Sequence, residues 1–329
     1  MSEHFIKNIE IKNFKCFEDF KAEGFGRVNL IGGKNNVGKT AFMEAVFINS
    51  TIKEDDILEL IEVLTSIEHY RDTDTKEDIK QLSNAQYLDN FFYLLTEKYS
   101  DVEIKSNKNK IKITIGSKFF QIKLNKQKFN EEDIHPLAIQ PEKELFLENF
   151  VSSLFIENNQ LSSLYDGAKR IRKRNEINDS IHIFYDDLEE YDFIDGSPKC
   201  FSTQADKFID LSEYGHGLKR YIAFISAIWA NQDGYLFLDE IENGIHYSNL
   251  DKLWEVILKT SKEANVQVFA TTHSKECIES YARVVEELND RDITFIKLGK
   301  NKKGEIKAMI YPYEWFVDSI EQEEEVRGW

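Results

Sequence analysis

The fold of this chain is decided by one stretch near its N-terminus, Val28-Asn29-Leu30-Ile31-Gly32-Gly33-Lys34-Asn35-Asn36-Val37-Gly38-Lys39-Thr40. The part from Gly33 onward matches the pattern G-x-x-x-x-G-K-[S/T], and it follows an apolar segment typical of a buried strand. A helix is predicted to begin near Lys39. This strand–loop–helix context favours a phosphate-binding loop over the alternative, a glycine turn that happens to hold a lysine.

The loop has the chemistry that a nucleoside triphosphate requires. Successive backbone N–H groups can surround the β-phosphate, and the N-terminus of the following helix favours negative charge. The Lys39 ammonium can neutralise β- and γ-phosphate oxygens, and the Thr40 hydroxyl can ligate Mg²⁺. The predicted nucleotide-binding residues of the loop are Gly33, Asn35, Asn36, Val37, Gly38, Lys39 and Thr40.

A second apolar strand, Leu236-Phe237-Leu238, ends in two carboxylates, Asp239 and Glu240. Asp239 is predicted to hold Mg²⁺, and Glu240 is predicted to orient or deprotonate the attacking water. Taken alone, such a pair is typical of a solvated strand end. Its combination with the phosphate loop favours the functional interpretation.

A histidine, His273, directly follows a third apolar strand. The carboxyl ends of parallel strands meet at one edge of a sheet, so Gly33, Asp239, Glu240 and His273 are expected to converge around one phosphate. A helix cap or a surface position is the alternative for His273.

These segments together resemble the ABC-type ATPase heads of the SMC, RecF and OLD branch, as in stand-alone members without a TOPRIM domain. Phe14-Lys15-Cys16-Phe17 resembles the N-terminal FK-x-F element of that branch. Asp239 to His246 resembles its DE-x-E-x-x-x-H segment, and Thr271 to Ser274 resembles its switch-histidine segment. The resemblance implies an α/β fold: a P-loop NTPase with a mixed sheet, an antiparallel hairpin subregion and an inserted helical region.

The resemblance also places a signature segment at Leu211 to Arg220. This segment departs from the transporter form L-S-G-G-Q, because Gly215 stands where the signature serine is usual and Ser212 lies three residues earlier. The backbone N–H groups of Gly215 and Gly217 are expected to bind a γ-phosphate at the start of the next helix. A glycine-rich helix cap is the alternative.

A glutamine contacts Mg²⁺ in heads of this branch, and Gln160 is the candidate here. Gln140 and Gln121 also follow apolar stretches and remain alternatives. Lys15 is expected to be a solvated lysine, with an approach to the nucleotide as the other possibility.

The resemblance implies an ATPase that uses ATP and Mg²⁺ and works as a homodimer or a higher even-numbered oligomer. Two heads would enclose two ATP molecules, with Gly215 and Gly217 of one head facing the Lys39 loop of the other. Glu240 would be the general base, and His273 would sense the γ-phosphate. The favoured context is control of a separately encoded effector, such as a TOPRIM-like nuclease, in bacterial anti-phage defence. The alternatives are a DNA-repair or recombination ATPase acting directly on DNA, and an ATP-dependent scaffold or sensor with little turnover.

Two other activities are disfavoured. An OLD-type nuclease would need a TOPRIM domain after the switch histidine, and only 56 residues follow His273. A GTPase would need an N-K-x-D motif to read the base, and Asn301-Lys302-Lys303-Gly304 lacks the aspartate.

The charge of the chain favours a protein partner over bare DNA. Lys and Arg number 42 against 59 Asp and Glu, which gives a formal net charge of −17, too acidic for a general DNA coat. Two basic clusters stand out, and each is either a solvated face or a contact for phosphate backbone. They are a predicted hairpin with Lys105, Lys108, Lys110, Lys112, Lys118, Lys123, Lys126 and Lys128, and a predicted helix with Lys169, Arg170, Arg172, Lys173 and Arg174.

The sequence also predicts the compartment. The N-terminus lacks a signal-peptide pattern, and the longest apolar run, Tyr221 to Ala230, is too short to cross a bilayer. Three cysteines without CxxC spacing suggest neither a disulfide framework nor a zinc site. We therefore expect a cytoplasmic protein without a membrane partner.

The domain organisation is predicted to be a core with an insertion. Residues 1–50 and 200–329 would form the ATPase core, and residues 51–199 the inserted region. In the insertion we expect helices over residues 52–98, a β-hairpin over 105–129, a strand over 150–156 and helix over 161–188. The last third alternates, which predicts a parallel sheet covered by helices. Its predicted helices are Gly217–Ala230, Asn249–Ala264 and Lys275–Leu288, and its predicted strands are Tyr235–Asp239, Val266–Thr271 and Ile293–Leu298.

Overall fold

A central sheet carries the phosphate loop in the computed structural model, which describes residues 4–52, 57, 60, 101–116, 119–134, 149–151 and 156–321. The strands are β1 Asn8–Phe14, β2 Phe17–Glu23, β3 Val28–Gly32, β4 Asp101–Ser106, β5 Lys110–Gly116, β6 Phe119–Leu124, β7 Gln127–Asn130, β8 Phe150–Val151, β9 Leu188–Ile194, β10 Ser197–Ser202, β11 Lys207–Asp210, β12 Tyr235–Leu238, β13 Gln267–Thr271, β14 Ile293–Lys300 and β15 Ile306–Pro312. The α-helices are α1 Lys39–Thr51, α2 Glu131–Ile134, α3 Asn158–Arg170, α4 Arg174–Phe184, α5 His216–Ala230, α6 Leu250–Glu263, α7 Lys275–Glu287 and α8 Tyr313–Glu321.

The central sheet has the strand order β15-β14-β3-β13-β12-β8. Strands β14, β3, β13, β12 and β8 pair in parallel, and β15 pairs antiparallel with β14. The predicted alternation of helices and strands in the last third is thereby confirmed. The β3, β12 and β13 strands are neighbours in the sheet, so their carboxyl ends, which carry the predicted site, lie at one edge.

Alternate residues of these strands face two separate cores, as a strand period of two requires. Leu30 and Leu238 pack with helices α5, α6 and α7 in one core. Ile31, Phe237 and Phe269 pack with α1 and the antiparallel strands in the other. Both faces are covered, which explains why the strands read as continuous apolar runs.

A second sheet is antiparallel, with the order β2-β1-β4-β5-β6-β7. The predicted hairpin is confirmed, since β5 pairs with β6 from Ile111 opposite Leu124 to Gly116 opposite Phe119. Strand β4 pairs with β1, so the hairpin extends a sheet that begins near the N-terminus. The predicted division of the chain into a core and an insertion over residues 51–199 stays a prediction.

Residues 156–210 differ from the sequence expectation. The helix expected over residues 161–188 is two helices, α3 and α4, because the chain turns at Ile171–Lys173 with Arg172 at a φ of 63°. The three-stranded sheet β11-β10-β9 that follows was not predicted. The helices expected over residues 52–98 lie almost entirely outside the described residues, as does most of the strand expected over 150–156. Within the described ranges, no helix is long and apolar enough to span a membrane.

Candidate nucleotide site

The phosphate loop has the backbone that its glycines allow. Gly33 and Gly38 have φ values of 154° and 87°, and Asn36 between them has a φ of 61°. A Cβ atom on Gly33 would lie 2.7 Å from the Leu298 carbonyl oxygen, so a side chain does not fit there. Asn35 and Asn36 are exposed, whereas Val37 is buried beneath the loop. The turn at Asn35 and Asn36 therefore faces solvent, and the buried side chain of Val37 packs beneath it.

Lys39 lies folded over this loop. Its Nζ donates hydrogen bonds to the carbonyl oxygens of Gly33, at 2.9 Å, and Lys34, at 3.1 Å. Burial lowers the pKa of Lys39, and the nearby carboxylates of Glu240, Glu242 and Asp239 oppose that shift. The lysine therefore lies near the carboxylates that follow β12. The hydroxyl-bearing residue Thr40, next in the helix, is exposed.

Asp239 and Glu240 follow β12 and are held by Thr271, the last residue of β13. The Thr271 hydroxyl donates to Asp239 Oδ1 at 2.5 Å and accepts the Glu240 N–H at 2.8 Å. Glu240 has a φ of 45°, a left-handed conformation that is costly for a residue with a side chain, and such strain persists where the surrounding structure enforces it. The chain therefore leaves the extended path of β12 at Glu240. Burial raises the pKa of Asp239, and the Thr271 hydrogen bond opposes the rise.

His273 lies at the same edge and is held by Glu242. The His273 backbone N–H donates to Glu242 Oε1 at 3.0 Å, and its Nδ1 lies 3.1 Å from the same oxygen. Sequence reasoning gave roles to neither Thr271 nor Glu242. The sequence signal for Glu242 was its place in the DE-x-E pattern, and the signal for Thr271 was its place at the start of the switch-histidine segment.

The signature segment is joined to the carboxylate strand. Gly215, with a φ of 80°, is exposed before α5, and a Cβ atom on it would meet no atom within 4 Å. Gly217 packs on the loop after the carboxylates. One turn into α5, buried Arg220 donates from Nη2 to the carbonyl oxygens of Asp239 and Glu240, each at 3.2 Å. Ser212 instead bonds Asp210 Oδ1 at 2.7 Å.

The close packing of Gly217 gives a first prediction, for Gly217→Ala. The added Cβ would lie 2.6 Å from the Gly244 carbonyl oxygen, a backbone atom that cannot rotate away. We expect a loss of about 1–3 kcal/mol in the free energy of unfolding, measured by denaturant titration, together with reduced ATP turnover. The matched control is Gly196→Ala, where a Cβ meets nothing but the φ of 77° is strained. Gly196→Ala should lose stability but keep its ATP turnover. If both variants lost turnover equally, the effect of Gly217→Ala on turnover would not come from its contact with Gly244.

The glutamine candidates lie in different parts of the molecule. Gln160 is buried near the start of α3. This helix follows β8, whose Val151 carbonyl accepts the Asp239 N–H at 2.9 Å. Gln121 lies on the hairpin and donates to Asn130 Oδ1 at 3.0 Å. Gln140 is outside the described residues. None of the hydrogen bonds among the described residues joins Gln160 to Thr40 or Asp239, so its role stays a prediction.

Lys15 is not a solvated lysine. Its Nζ lies 2.6 Å from Glu44 Oε2, on the first turns of α1, and both side chains are largely buried. The expectation of a solvated lysine was therefore wrong. The pair joins the FK-x-F turn to the helix that begins at the phosphate loop.

A D-x-D spacing, of the kind that a TOPRIM site needs, does occur after His273, at Asp290-Arg291-Asp292, and the expectation that none follows this histidine is wrong. Asp290 forms a buried ion pair with Arg27. The backbone carbonyl of Asp292 accepts the Arg27 N–H at 2.8 Å. The motif therefore fastens the chain before β14 to the residue before β3, and its carboxylates are not a free pair at a strand end.

The two basic clusters differ in how they are neutralised. In the helix cluster, Lys169 pairs with Asp166 and Asp192, Lys173 pairs with Glu176, and Arg174 pairs with Glu190 and Asp192. On the hairpin, Lys112 lies opposite Lys123, and Lys123 opposite Lys128. Lys112 pairs with Asp101 at 3.4 Å, whereas Lys123 and Lys128 are exposed and form no ion pair within the described part of the chain. Like charges facing each other across strands are unfavourable.

Comparison with known proteins agrees with this architecture. Residues 28–279 match a family model described as "AAA domain, putative AbiEii toxin, Type IV TA system". An ATP/GTP phosphatase of Helicobacter pylori is 27% identical, over 86% of this chain and 89% of the relative. The DNA replication and repair protein RecF of Clostridioides difficile is 25% identical, over 57% of this chain and 47% of the relative.

A solved SMC head bound to the C-winged helix domain of ScpA has the same fold, with a TM-score of 0.57 and 11% identity, over 94% of this chain and 99% of the head. The fold predicted from the resemblance is therefore confirmed. The chain belongs to the AAA-domain family described as putative AbiEii toxin, Type IV TA system, and it is an ATPase with the fold of the SMC head.

Proposed function

We propose that two copies of this ATPase enclose two ATP molecules and that this assembly controls a separately encoded effector, a nuclease, in bacterial anti-phage defence. The observation that carries the proposal is the exposed glycine start of α5. Gly215 presents its backbone to open space, while the helix behind it is bonded through Arg220 to the strand of Asp239 and Glu240. A helix N-terminus of this kind favours a phosphate, and its exposure allows that phosphate to be held by a second copy.

Each predicted residue has a role in this arrangement. Lys39 and the N–H groups of residues 33–40 would bind the β- and γ-phosphates, and Gly215 and Gly217 of the second copy would bind the γ-phosphate from the other side. Glu240 would take the proton of the attacking water, and His273 would contact the γ-phosphate. The oxygen donors Thr40 and Asp239 suit Mg²⁺, with Gln160 as a further ligand. Bound Mg²⁺ would neutralise phosphate charge.

The effector is argued from charge and from the relatives. A net charge of −17 disfavours a chain that coats DNA and suits contact with a partner protein. The family description names a toxin system, and the solved SMC head carries a bound domain of ScpA. These support a head that acts through another polypeptide. The scaffold or sensor alternative differs only in turnover and would show ATP-dependent assembly with little hydrolysis.

The test is native mass spectrometry of tagged Glu240→Gln protein isolated from its own host with ATP and Mg²⁺. Blocked hydrolysis should preserve the closed assembly. An even number of copies with a second polypeptide would support the proposal. A lone monomer would overturn the two-headed site, and a bare dimer carrying nucleic acid would favour the second candidate. Lys39→Ala protein, isolated in parallel, is the control for ATP dependence.

The second candidate is an ATPase that acts directly on DNA, and the hairpin lysines favour it. We expect Lys123→Glu/Lys128→Glu to reduce the slope of log affinity against log salt for duplex DNA by about two or more, since each lysine on a phosphate contributes about one. Arg170→Glu/Arg172→Glu is the second variant, because these two exposed arginines of the helix cluster form no ion pair within the described residues. Binding isotherms at several salt concentrations measure the effect. Unchanged binding in both variants would remove the support for this candidate.

A further inference from the structure

Glu242 holds the histidine at the end of β13 through a single oxygen. Its Oε1 accepts the His273 N–H at 3.0 Å and lies 3.1 Å from His273 Nδ1. The Glu242 side chain is 11% exposed, whereas the His273 side chain is 48% exposed. The largely buried carboxylate of Glu242 therefore contacts the Nδ1 side of the His273 ring, and the rest of that side chain is partly exposed to solvent.

The carboxylate is itself fixed by its surroundings. The turn that carries it is closed by two hydrogen bonds, from Asn243 N–H to the Glu240 carbonyl at 2.9 Å and from Ile245 N–H to the Glu242 carbonyl at 3.0 Å. The turn is also joined to the end of β13, since Ile241 N–H donates to the Thr271 carbonyl at 3.0 Å. These bonds fix the backbone of the turn, so the main chain of Glu242 is held beside the end of β13.

Glu242 also bears an unsatisfied group. Its Oε2 is buried and finds no hydrogen-bond partner among the described residues. Such an oxygen costs free energy, so a purely structural role would be served better by a smaller or apolar side chain. The negative charge of Glu242 also reaches the phosphate-loop lysine, whose pKa it acts to raise. The residue thus belongs electrostatically to the nucleotide site.

We propose that Glu242 is a positioning residue that fixes the tautomer and orientation of His273. A carboxylate facing Nδ1 selects the ring form with its proton on Nδ1, as in other carboxylate–histidine pairs. The Nε2 atom then points away from Glu242, toward the open side, as the atom available to a ligand. This inference rests on the proposed role of His273 at the γ-phosphate and specifies which ring nitrogen performs it.

The first test needs no variant. Long-range ¹H–¹⁵N correlation spectra of the full chain, labelled with ¹⁵N-histidine, report which ring nitrogen carries the proton. The His273 signals are assigned by their loss in His273→Asn. We expect the Nδ1–H form, measured above the pH at which the ring protonates. A wild-type spectrum with His273 in the Nε2–H form would overturn the proposal.

The second test removes the acceptor with Glu242→Met, which keeps the length of the side chain and tolerates burial. His273 should change to the Nε2–H form, and kcat for ATP should fall about 10- to 100-fold, as for other groups that orient a functional histidine, with KM changing less. Glu242→Gln keeps an oxygen acceptor and should restore most of the tautomer and part of kcat. Glu279→Ala, an acid on the helix after His273, is the control and should alter neither.

The two readouts separate this inference from the proposed function. If the tautomer changes in Glu242→Met while turnover of His273→Asn remains at the wild-type level, Glu242 positions the ring but His273 has no part in hydrolysis. If Glu242→Met leaves the His273 tautomer unchanged, the positioning role is wrong whatever the turnover.

Discussion

Glu240→Gln should lower ATP turnover by about 10²- to 10⁴-fold, the usual contribution of a general base, while ATP binding persists. Glu240 directly follows Asp239 at the end of β12 and has a left-handed backbone with a φ of 45°. The amide of glutamine has nearly the same shape but cannot take a proton from water. Turnover is measured by phosphate release, and binding is measured by calorimetry on the same preparation.

The control for this variant is Glu263→Gln, a change of the same chemistry at an exposed position near the end of α6. It should leave both measurements unchanged. Full turnover in Glu240→Gln would show that another group activates the water. Lost binding together with lost turnover would mean that the variant had disturbed the loop rather than the chemistry.

Lys39→Ala should weaken ATP binding by about 100-fold or more, because hydrogen bonds to charged groups contribute about 1.5–3 kcal/mol each and this ammonium is expected to bond two phosphates. The lysine is already over the loop, bonded to the Gly33 and Lys34 carbonyls. These two partners are neutral carbonyls, so exchanging them for charged phosphate oxygens is favourable. Calorimetric titration with ATP and Mg²⁺ measures the loss.

Lys259→Ala is the matched change, since this exposed lysine pairs with Glu255 on the same helix. Its ATP affinity should equal that of the original protein. If Lys39→Ala retained that affinity as well, the assignment of Gly33–Thr40 as the phosphate loop would be wrong.

The features of the site that could be predicted from the sequence are those set by neighbouring residues along the chain. The phosphate loop, the two carboxylates and His273 each follow an apolar strand within a few residues, so their common edge follows from a parallel sheet alone. The order of strands brings β12 beside β13, and that adjacency creates the bonds from Thr271 to Asp239 and from His273 to Glu242. No periodicity in one segment reports such a contact.

The remaining contacts depend on packing between distant segments. The ion pair of Lys15 with Glu44 requires the turn after β1 to lie on α1. The bonds from Arg220 to the Asp239 and Glu240 carbonyls require α5 to lie against the end of β12. Both cations could equally have been surface residues on composition alone. The sheet β9–β11 was missed for a related reason, because its short strands carry mixed polar residues.

The bonds from Arg220 also couple the two proposed sites of a pair, because the start of α5 in one copy would serve the nucleotide of its neighbour while the carboxylates of that copy would serve its own. The exposed start of α5 and the carboxylates of the same copy are expected to move together, because the Arg220 guanidinium on α5 bonds the backbone carbonyls of Asp239 and Glu240. A displacement of Gly215 by a neighbouring molecule would reach Glu240 through Arg220, which lies about one helical turn further along α5. Cooperativity between the two nucleotides of a pair would then need no long pathway through the protein, and the chemistry in each copy would depend on whether its neighbour is loaded.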